Sequence, residues 1–202
     1  LALSLARQRK GLTGSNPSVG CVIVKNDKII SYGQTGISGY PHAEYNAIKN
    51  CKQNLKNSSL YVTLEPCSHY GKTPPCTNLI IKSKIKKVYF SVNDIDIRSS
   101  KKAKNILNKR KIIVKKFLLK NHGLKFYKNY FYSKTKQLPH VIGKIACSKD
   151  KYIYAKNKII TNEQSRKISH LLRYKNQGIL ISSKTLNLDN SKLNCRISGI
   201  EK

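Results

Sequence analysis

Leu60-Tyr61-Val62-Thr63-Leu64 runs straight into Glu65-Pro66-Cys67-Ser68-His69-Tyr70-Gly71-Lys72-Thr73-Pro74-Pro75-Cys76, followed by Thr77-Asn78-Leu79-Ile80-Ile81-Lys82. Residues 60–64 are mostly apolar, with aromatic Tyr61 and β-branched Val62 and Thr63, and predict a strand. Pro74-Pro75 predicts a helix opening at Cys76 and running to residue 82. Strand, cysteine-bearing loop and helix therefore follow one another.

Working outward, residues 1–10 place Leu1 with Leu5 and Ala2 with Ala6 at i, i+4, which predicts an amphipathic helix ended by Gly11. Residues 19–25 and 28–32 are short β-rich runs flanking Asn26-Asp27, a hairpin signal. A helix is expected from about His42, just after Pro41, to about Asn54. Beyond the central stretch come a strand over 87–92, a helix over 99–109, a strand over 111–114 and a helix over 121–132. After its opening helix and hairpin the chain alternates helix and strand, which predicts an α/β layered domain. Thr135-Lys136-Gln137-Leu138-Pro139 is polar and ends in proline, so a boundary is expected near residue 137. Residues 138–202 should then begin a second α/β unit: strand 140–147, helix 162–174, strand 178–182. At 65 residues it is expected to be incomplete.

The chain has 202 residues and carries 40 Lys+Arg against 9 Asp+Glu, a formal charge of +31. At 39% hydrophobic it can bury a core, which argues against general disorder. No apolar run approaches the roughly 18–20 residues of a membrane-spanning helix. Only seven of the basic residues are Arg, Lys is spread along the whole chain, and Asn is abundant at 18. That pattern follows compositional drift better than nucleic-acid recognition, which favours Arg for bidentate contacts. The positive field could still steer an anionic small molecule inward. The first apolar residues precede Arg7, Arg9 and Lys10, the wrong order for a secretory signal. No Met occurs, so the natural start is expected to lie before Leu1. Six Cys without a secretory signal or compact spacing point to a reducing, cytoplasmic setting rather than three disulfides. Cys21 reads as a core residue.

His42-Ala43-Glu44 at a helix start, joined with Pro66-Cys67 and Cys76, is the informative set. Zinc takes three or four N/S ligands, and a catalytic site keeps one position open. His42, Cys67 and Cys76 supply three donors. Glu44, two residues beyond His42, can approach the open position and move a proton between water and a departing amine. The order H-x-E, then P-C, then a second Cys resembles the zinc nucleobase deaminase signature, whose second half is usually P-C-x-x-C. Here eight residues separate the two Cys, so a loop must return the second thiolate.

With that long loop, the segments Asn16-Pro17-Ser18-Val19-Gly20, His42-Ala43-Glu44 and residues 63–76 closely resemble the RibD family of riboflavin biosynthesis proteins. The resemblance covers nearly the whole chain. It implies a cytidine-deaminase-like three-layer α/β/α domain over residues 1–137. A partial dihydrofolate-reductase-like α/β domain would follow over 138–202. It implies hydrolytic, zinc-dependent deamination of 2,5-diamino-6-ribosylamino-4(3H)-pyrimidinone 5′-phosphate to 5-amino-6-ribosylaminouracil 5′-phosphate. Glu44 would be catalytic and His42, Cys67 and Cys76 the metal ligands. Asn16 would recognise the base, and His69 and Lys72 would contact substrate.

For the reductase half, the resemblance implies substrate contacts from Arg173, Asp189, Leu193 and Arg196, and NADPH contacts from Cys147, Ile159 and Thr185. Several segments depart from the family pattern: Ser148-Lys149-Asp150-Lys151, Ile159-Ile160-Thr161 and Asp189-Asn190-Ser191. NADPH is expected only where that domain is complete. In the first half, the family's Asp-Pro-Asn-Pro stretch and following glycines are replaced by Asn93-Asp94-Ile95-Asp96-Ile97-Arg98-Ser99. A homo-oligomer is possible on family grounds, and a membrane partner is not expected. Two other readings compete: a tRNA adenosine deaminase, and an inactive zinc-stabilised remnant. Phe126, Tyr127, Tyr130 and Phe131 interleave with Lys as in single-strand binders. Their i, i+1, i+4, i+5 spacing, however, suits one packed helix face.

Overall fold

In the computed structural model, residues 1–153 and 160–200 are described. They form two compact units, residues 1–140 and residues 141–200.

The first unit opens with helix α1 (Ala2–Arg9) and the hairpin β1 (Gly20–Lys25) and β2 (Lys28–Gln34). Asn26 and Asp27 turn it with φ of 49° and 58°, as a two-residue hairpin turn requires. Then come α2 (Ala43–Lys49), β3 (Ser59–Leu64), α3 (Cys76–Lys82), β4 (Lys87–Val92), α4 (Ala103–Asn108), β5 (Ile113–Lys116) and α5 (Lys120–Lys136). The five strands form one mixed sheet in the order β2-β1-β3-β4-β5. β1 is antiparallel to β2 and β3, whereas β3, β4 and β5 are parallel.

The strand period of two sorts the sheet into two faces. Cys21 and Ile23 pair with Val62 and Leu60, and Leu60 and Val62 pair with Val88 and Phe90. All six are buried, and this face carries α2, α3 and α4. Gly33, opposite Cys21, needs to be glycine because a Cβ there would stand 2.4 Å from the Ala47 nitrogen of α2. Gly20 faces the other way, where a Cβ would stand 2.0 Å from the Ala2 oxygen of α1. α5 packs on that second face too, with Gly123 fitted over Ser91 and Val92. Helices on both faces give the three-layer, cytidine-deaminase-like α/β/α fold expected. Tyr127 is 1% exposed, its hydroxyl lying 2.6 Å from Thr63 Oγ1 and donating to the Ser18 carbonyl at 2.9 Å. Phe126, Tyr130 and Phe131 are half-buried and pack against the same core, so this aromatic cluster is a packed helix face.

Several element ends differ from expectation: β5 lies two residues later than expected, and α5 runs on to Lys136 rather than ending near residue 132. α2 stops at Lys49 rather than near Asn54, because Asn54 Oδ1 accepts from the Lys56 N–H in a local turn that competes with the helix. Pro41 lies before the His42 N-cap, outside the first turn. α4 starts at Ala103 rather than Ser99, since the N–H groups of Lys101 and Ala103 are taken by the Glu65 carboxylate.

The second unit holds α6 (Glu163–Lys175) and α7 (Ser183–Asp189). Asn162 caps α6 and Ser182 caps α7 through their side chains. α6 matches its expected position, and α7 was not foreseen. The strands expected over 140–147 and 178–182 do not form, and the described residues of this unit contain no strand. Val141, Ile145 and Leu180 are 80%, 79% and 98% exposed. An apolar alternation becomes a strand only where a neighbour takes up its backbone groups and covers one face. Ile159 falls outside the described residues.

Candidate active site

The site forms at the end of β3, where the chain leaves the sheet. His42 is the N-cap of α2 in extended conformation, and Glu44 occupies the first turn of that helix. Cys67 follows β3 by three residues, and Cys76 is the first residue of α3. The loop between them returns the second sulfur to the first: the Cys76 N–H donates to Cys67 Sγ at 3.3 Å.

His42 Nδ1 lies 3.5 Å from Cys67 Sγ and 3.4 Å from Cys76 Sγ. All three donor atoms lie within 4.8 Å of one another, and among the described residues they form the metal-ligand cluster. A tetrahedral zinc with Zn–S of about 2.3 Å and Zn–N of about 2.0 Å has N···S edges of about 3.5 Å. The spacing thus fits that ion before any rearrangement. Protonation chemistry fits as well. The hydrogen bond from Cys76, and then that from His42, pull the Cys67 thiol down to about 4, while the Cys76 thiol, donor to Cys67 and buried, is raised. His42 is raised, first by its bond to Cys67. A divalent cation seated here would displace protons that these three groups share.

Glu44 is 4% exposed, and burial first, then the Cys67 charge, push its carboxyl up to about 7. A carboxyl with that affinity can both hold and release a proton near neutral pH.

Around this centre a cleft is lined by Asn16, Tyr40, His69, Lys72, Asp94, Asp96, Arg98, Tyr130 and Lys134, together with His42, Glu44 and Cys67. Asn16 is fixed by its amide, which donates to the Gly39 carbonyl at 3.2 Å. Gly39 has φ of 93°, and a Cβ there would stand 2.5 Å from that amide nitrogen, so glycine is required. Lys72 reaches over the Tyr40 ring at 5.7 Å, and Tyr40 stacks on His42 at 5.4 Å. His69 Nδ1 sits 2.6 Å from Ser99 Oγ. The structure thus gathers every site residue expected in the first unit: Asn16, His42, Glu44, Cys67, His69, Lys72 and Cys76.

Sequence reasoning missed Arg98, Lys134 and Glu65. Arg98 is oriented by Asp96, with Nε and Nη2 donating to the carboxylate at 2.9 Å and 2.6 Å. That bond first holds the Asp96 carboxyl down at about 2. The signal was available in Asp94-Ile95-Asp96, whose carboxylates favour turns onto their own backbone. Lys134 comes from α5, where helical periodicity alone gives no hint of a cleft.

In the second unit the expected residues are dispersed more widely. Arg173 and Arg196 meet at Asn194, with Nη1 to O at 3.4 Å and Nη1 to Oδ1 at 3.0 Å, and His170 joins them. Leu193 precedes Asn194 with φ of 53°. Thr185 is tied to the cap of α7, its N–H donating to Ser182 Oγ at 3.1 Å, and Asp189 ends that helix, exposed. Cys147 is exposed.

Residues 1–92 match the cytidine and deoxycytidylate deaminase zinc-binding region. The riboflavin biosynthesis protein RibD of Aquifex aeolicus is 37% identical over 100% of the chain and 58% of its own length. RibD of Bacillus amyloliquefaciens is 39% identical over 97% of the chain and 54% of its own length. A crystal structure of a diaminohydroxyphosphoribosylaminopyrimidine deaminase/5-amino-6-(5-phosphoribosylamino)uracil reductase from Thermotoga maritima superposes with a TM-score of 0.88 at 35% identity. That match covers 98% of the chain and 58% of the T. maritima protein. The chain therefore spans a little over half the length of these relatives.

Proposed function

Because the chain belongs to the RibD family of riboflavin biosynthesis proteins, we propose that it hydrolyses the 2-amino group of 2,5-diamino-6-ribosylamino-4(3H)-pyrimidinone 5′-phosphate. One water is consumed, the ring carbon–nitrogen bond breaks, and 5-amino-6-ribosylaminouracil 5′-phosphate and ammonia leave. The observation that carries this reading is the Cys67–Cys76 loop, which supplies two metal-donor sulfurs and also places His69 and Lys72 on the rim of the cleft that holds Glu44.

Zinc, held by His42, Cys67 and Cys76, would supply Lewis acidity toward a water molecule in the cleft. Glu44 takes the proton of that water on a carboxylate oxygen and delivers it to the departing nitrogen. Its place in the first turn of α2, two residues beyond the donor His42 and lining the cleft, suits both halves of that transfer. Asn16, locked by the Gly39 carbonyl, presents a fixed amide for the pyrimidine edge. Lys72 and Arg98 offer cations for the phosphate, and His69 offers a ring nitrogen for phosphate or sugar. The substrate is a diffusible, cytoplasmic anion, and the excess of Lys would draw it in.

The expected domain of residues 1–137, which lies within the first unit, carries this activity. NADPH belongs with a complete reductase domain, and the described residues of the second unit form no sheet to hold it.

The test is ammonia release by the zinc-loaded chain from four compounds: the phosphorylated pyrimidinone, its dephosphorylated form, cytidine and a tRNA stem-loop. Turnover is expected on the first, with a higher KM on the second. Turnover on the stem-loop alone would replace this reading with an RNA deaminase, and turnover on none would favour a structural zinc site.

A further inference from the structure

Glu65 directly follows β3 and is 3% exposed. Its carboxylate accepts three backbone N–H groups: Asp94 at 3.2 Å and Lys101 at 2.9 Å on Oε2, and Ala103 at 3.1 Å on Oε1. One buried anion therefore closes both ends of the segment that forms a wall of the cleft. Inside the segment, Asp94 Oδ1 accepts from the Ile95 and Asp96 N–H groups at 2.7 Å and 3.2 Å. The Ser99 N–H donates to the Asp96 carbonyl at 2.8 Å. These turns deliver Ser99, fully buried, onto the zinc-ligand loop.

There Ser99 Oγ accepts from the Ser68 N–H at 3.1 Å and lies 2.6 Å from His69 Nδ1. A buried hydroxyl needs an acceptor for its own proton. Among the described residues, His69 Nδ1 is the one group within hydrogen-bonding reach of Ser99 Oγ that can accept that proton, since the Ser68 N–H is itself a donor. Ser99 thus donates to Nδ1, which leaves the ring proton on Nε2. Nε2 lies on the side of Gly71, 3.7 Å from where a Cβ on that residue would stand, and Gly71 lines the cleft.

We propose that Ser99 is a positioning residue: held in place by Glu65, it fixes the His69 ring so that Nε2–H points to substrate as a hydrogen-bond donor. An oxygen of a phosphate or ribose is the acceptor such a group selects. The proposal rests on the reading of His69 as a substrate contact. It makes the 93–99 stretch, where the chain departs from its family pattern, a device for orienting a neighbouring residue.

Two readouts on the zinc-loaded full chain test it. Long-range ¹H–¹⁵N spectra should show His69 protonated at Nε2 in the wild type, with that preference lost in Ser99→Ala. A wild-type ring protonated mainly at Nδ1 overturns the proposal, whether or not the variant folds. In kinetics, Ser99→Ala should raise KM about tenfold, the cost of one hydrogen bond to a charged acceptor, with kcat changed far less. Placed in a His69→Ala background, Ser99→Ala should add nothing, because its effect passes through the ring. An equal cost in both backgrounds would show a merely structural role and sink the idea. If the wild-type chain releases no ammonia from the pyrimidinone, the functional reading fails on its own, and the spectra still decide the placement of the ring.

Discussion

Leu60-Tyr61-Val62-Thr63-Leu64 and His140-Val141-Ile142-Gly143-Lys144-Ile145 carry a similar β-rich signal and meet different fates. In the first, Leu60 is 0% and Val62 3% exposed, because β1 and β4 flank the strand and helices cover both faces. In the second, Val141 and Ile145 stay about four-fifths exposed and no strand forms. Local pattern nominates a strand, but tertiary cover makes it one. The same contrast separates the two sets of site residues. Donors at the end of β3 and the starts of α2 and α3 converge to hydrogen-bonding distance, while the residues expected of the second unit gather only around Asn194.

The contrast can be broken most severely at the metal donors. Cys76→Ser should leave the purified chain with substoichiometric zinc and no ammonia release. Full zinc retention in that variant would mean that the long loop does not supply the second sulfur. Next in size is the core: Phe90→Ala, at a 0% exposed position, should cost about 3–5 kcal/mol in denaturant unfolding. A loss under 1 kcal/mol would mean that the sheet is not the stabilising element of the first unit. Lys72→Ala should raise KM about tenfold for the phosphorylated pyrimidinone and leave the dephosphorylated compound unaffected, as expected for one charge-assisted contact. Smallest is Leu180→Ala, 98% exposed, which should change stability by no more than about 0.5 kcal/mol. A large cost there would show the second unit to be packed by surfaces other than those described.

Much of the first unit was legible because its signals are local. Asn26-Asp27 set the hairpin turn, Pro74-Pro75 set the start of α3, and the period of two set the buried faces of β3 and β4. The metal set was legible because residue type and order constrain it strongly, even with eight residues between the cysteines. What escaped depends on distant partners. Nothing near Glu65 in sequence announces that its carboxylate will hold Asp94, Lys101 and Ala103. That hold delays α4 and turns Ser99 toward His69. Arg98 and Lys134 reach the cleft from a loop and from a helix whose own periodicity reports only packing. In the second unit, the strand pattern over 140–147 and 178–182 misled because alternation says nothing about whether a partner is present.

The central claim is that the zinc donors and Glu44 have separate jobs in one reaction, and the most direct measurement is zinc content beside ammonia release in Glu44→Gln. The account predicts one zinc per chain, an unchanged melting temperature and turnover of the pyrimidinone reduced by about 10³-fold or more, the upper range for a lost acid–base group. Retained turnover would contradict it by removing Glu44 from the proton path. Lost zinc would contradict it by making that carboxylate a ligand.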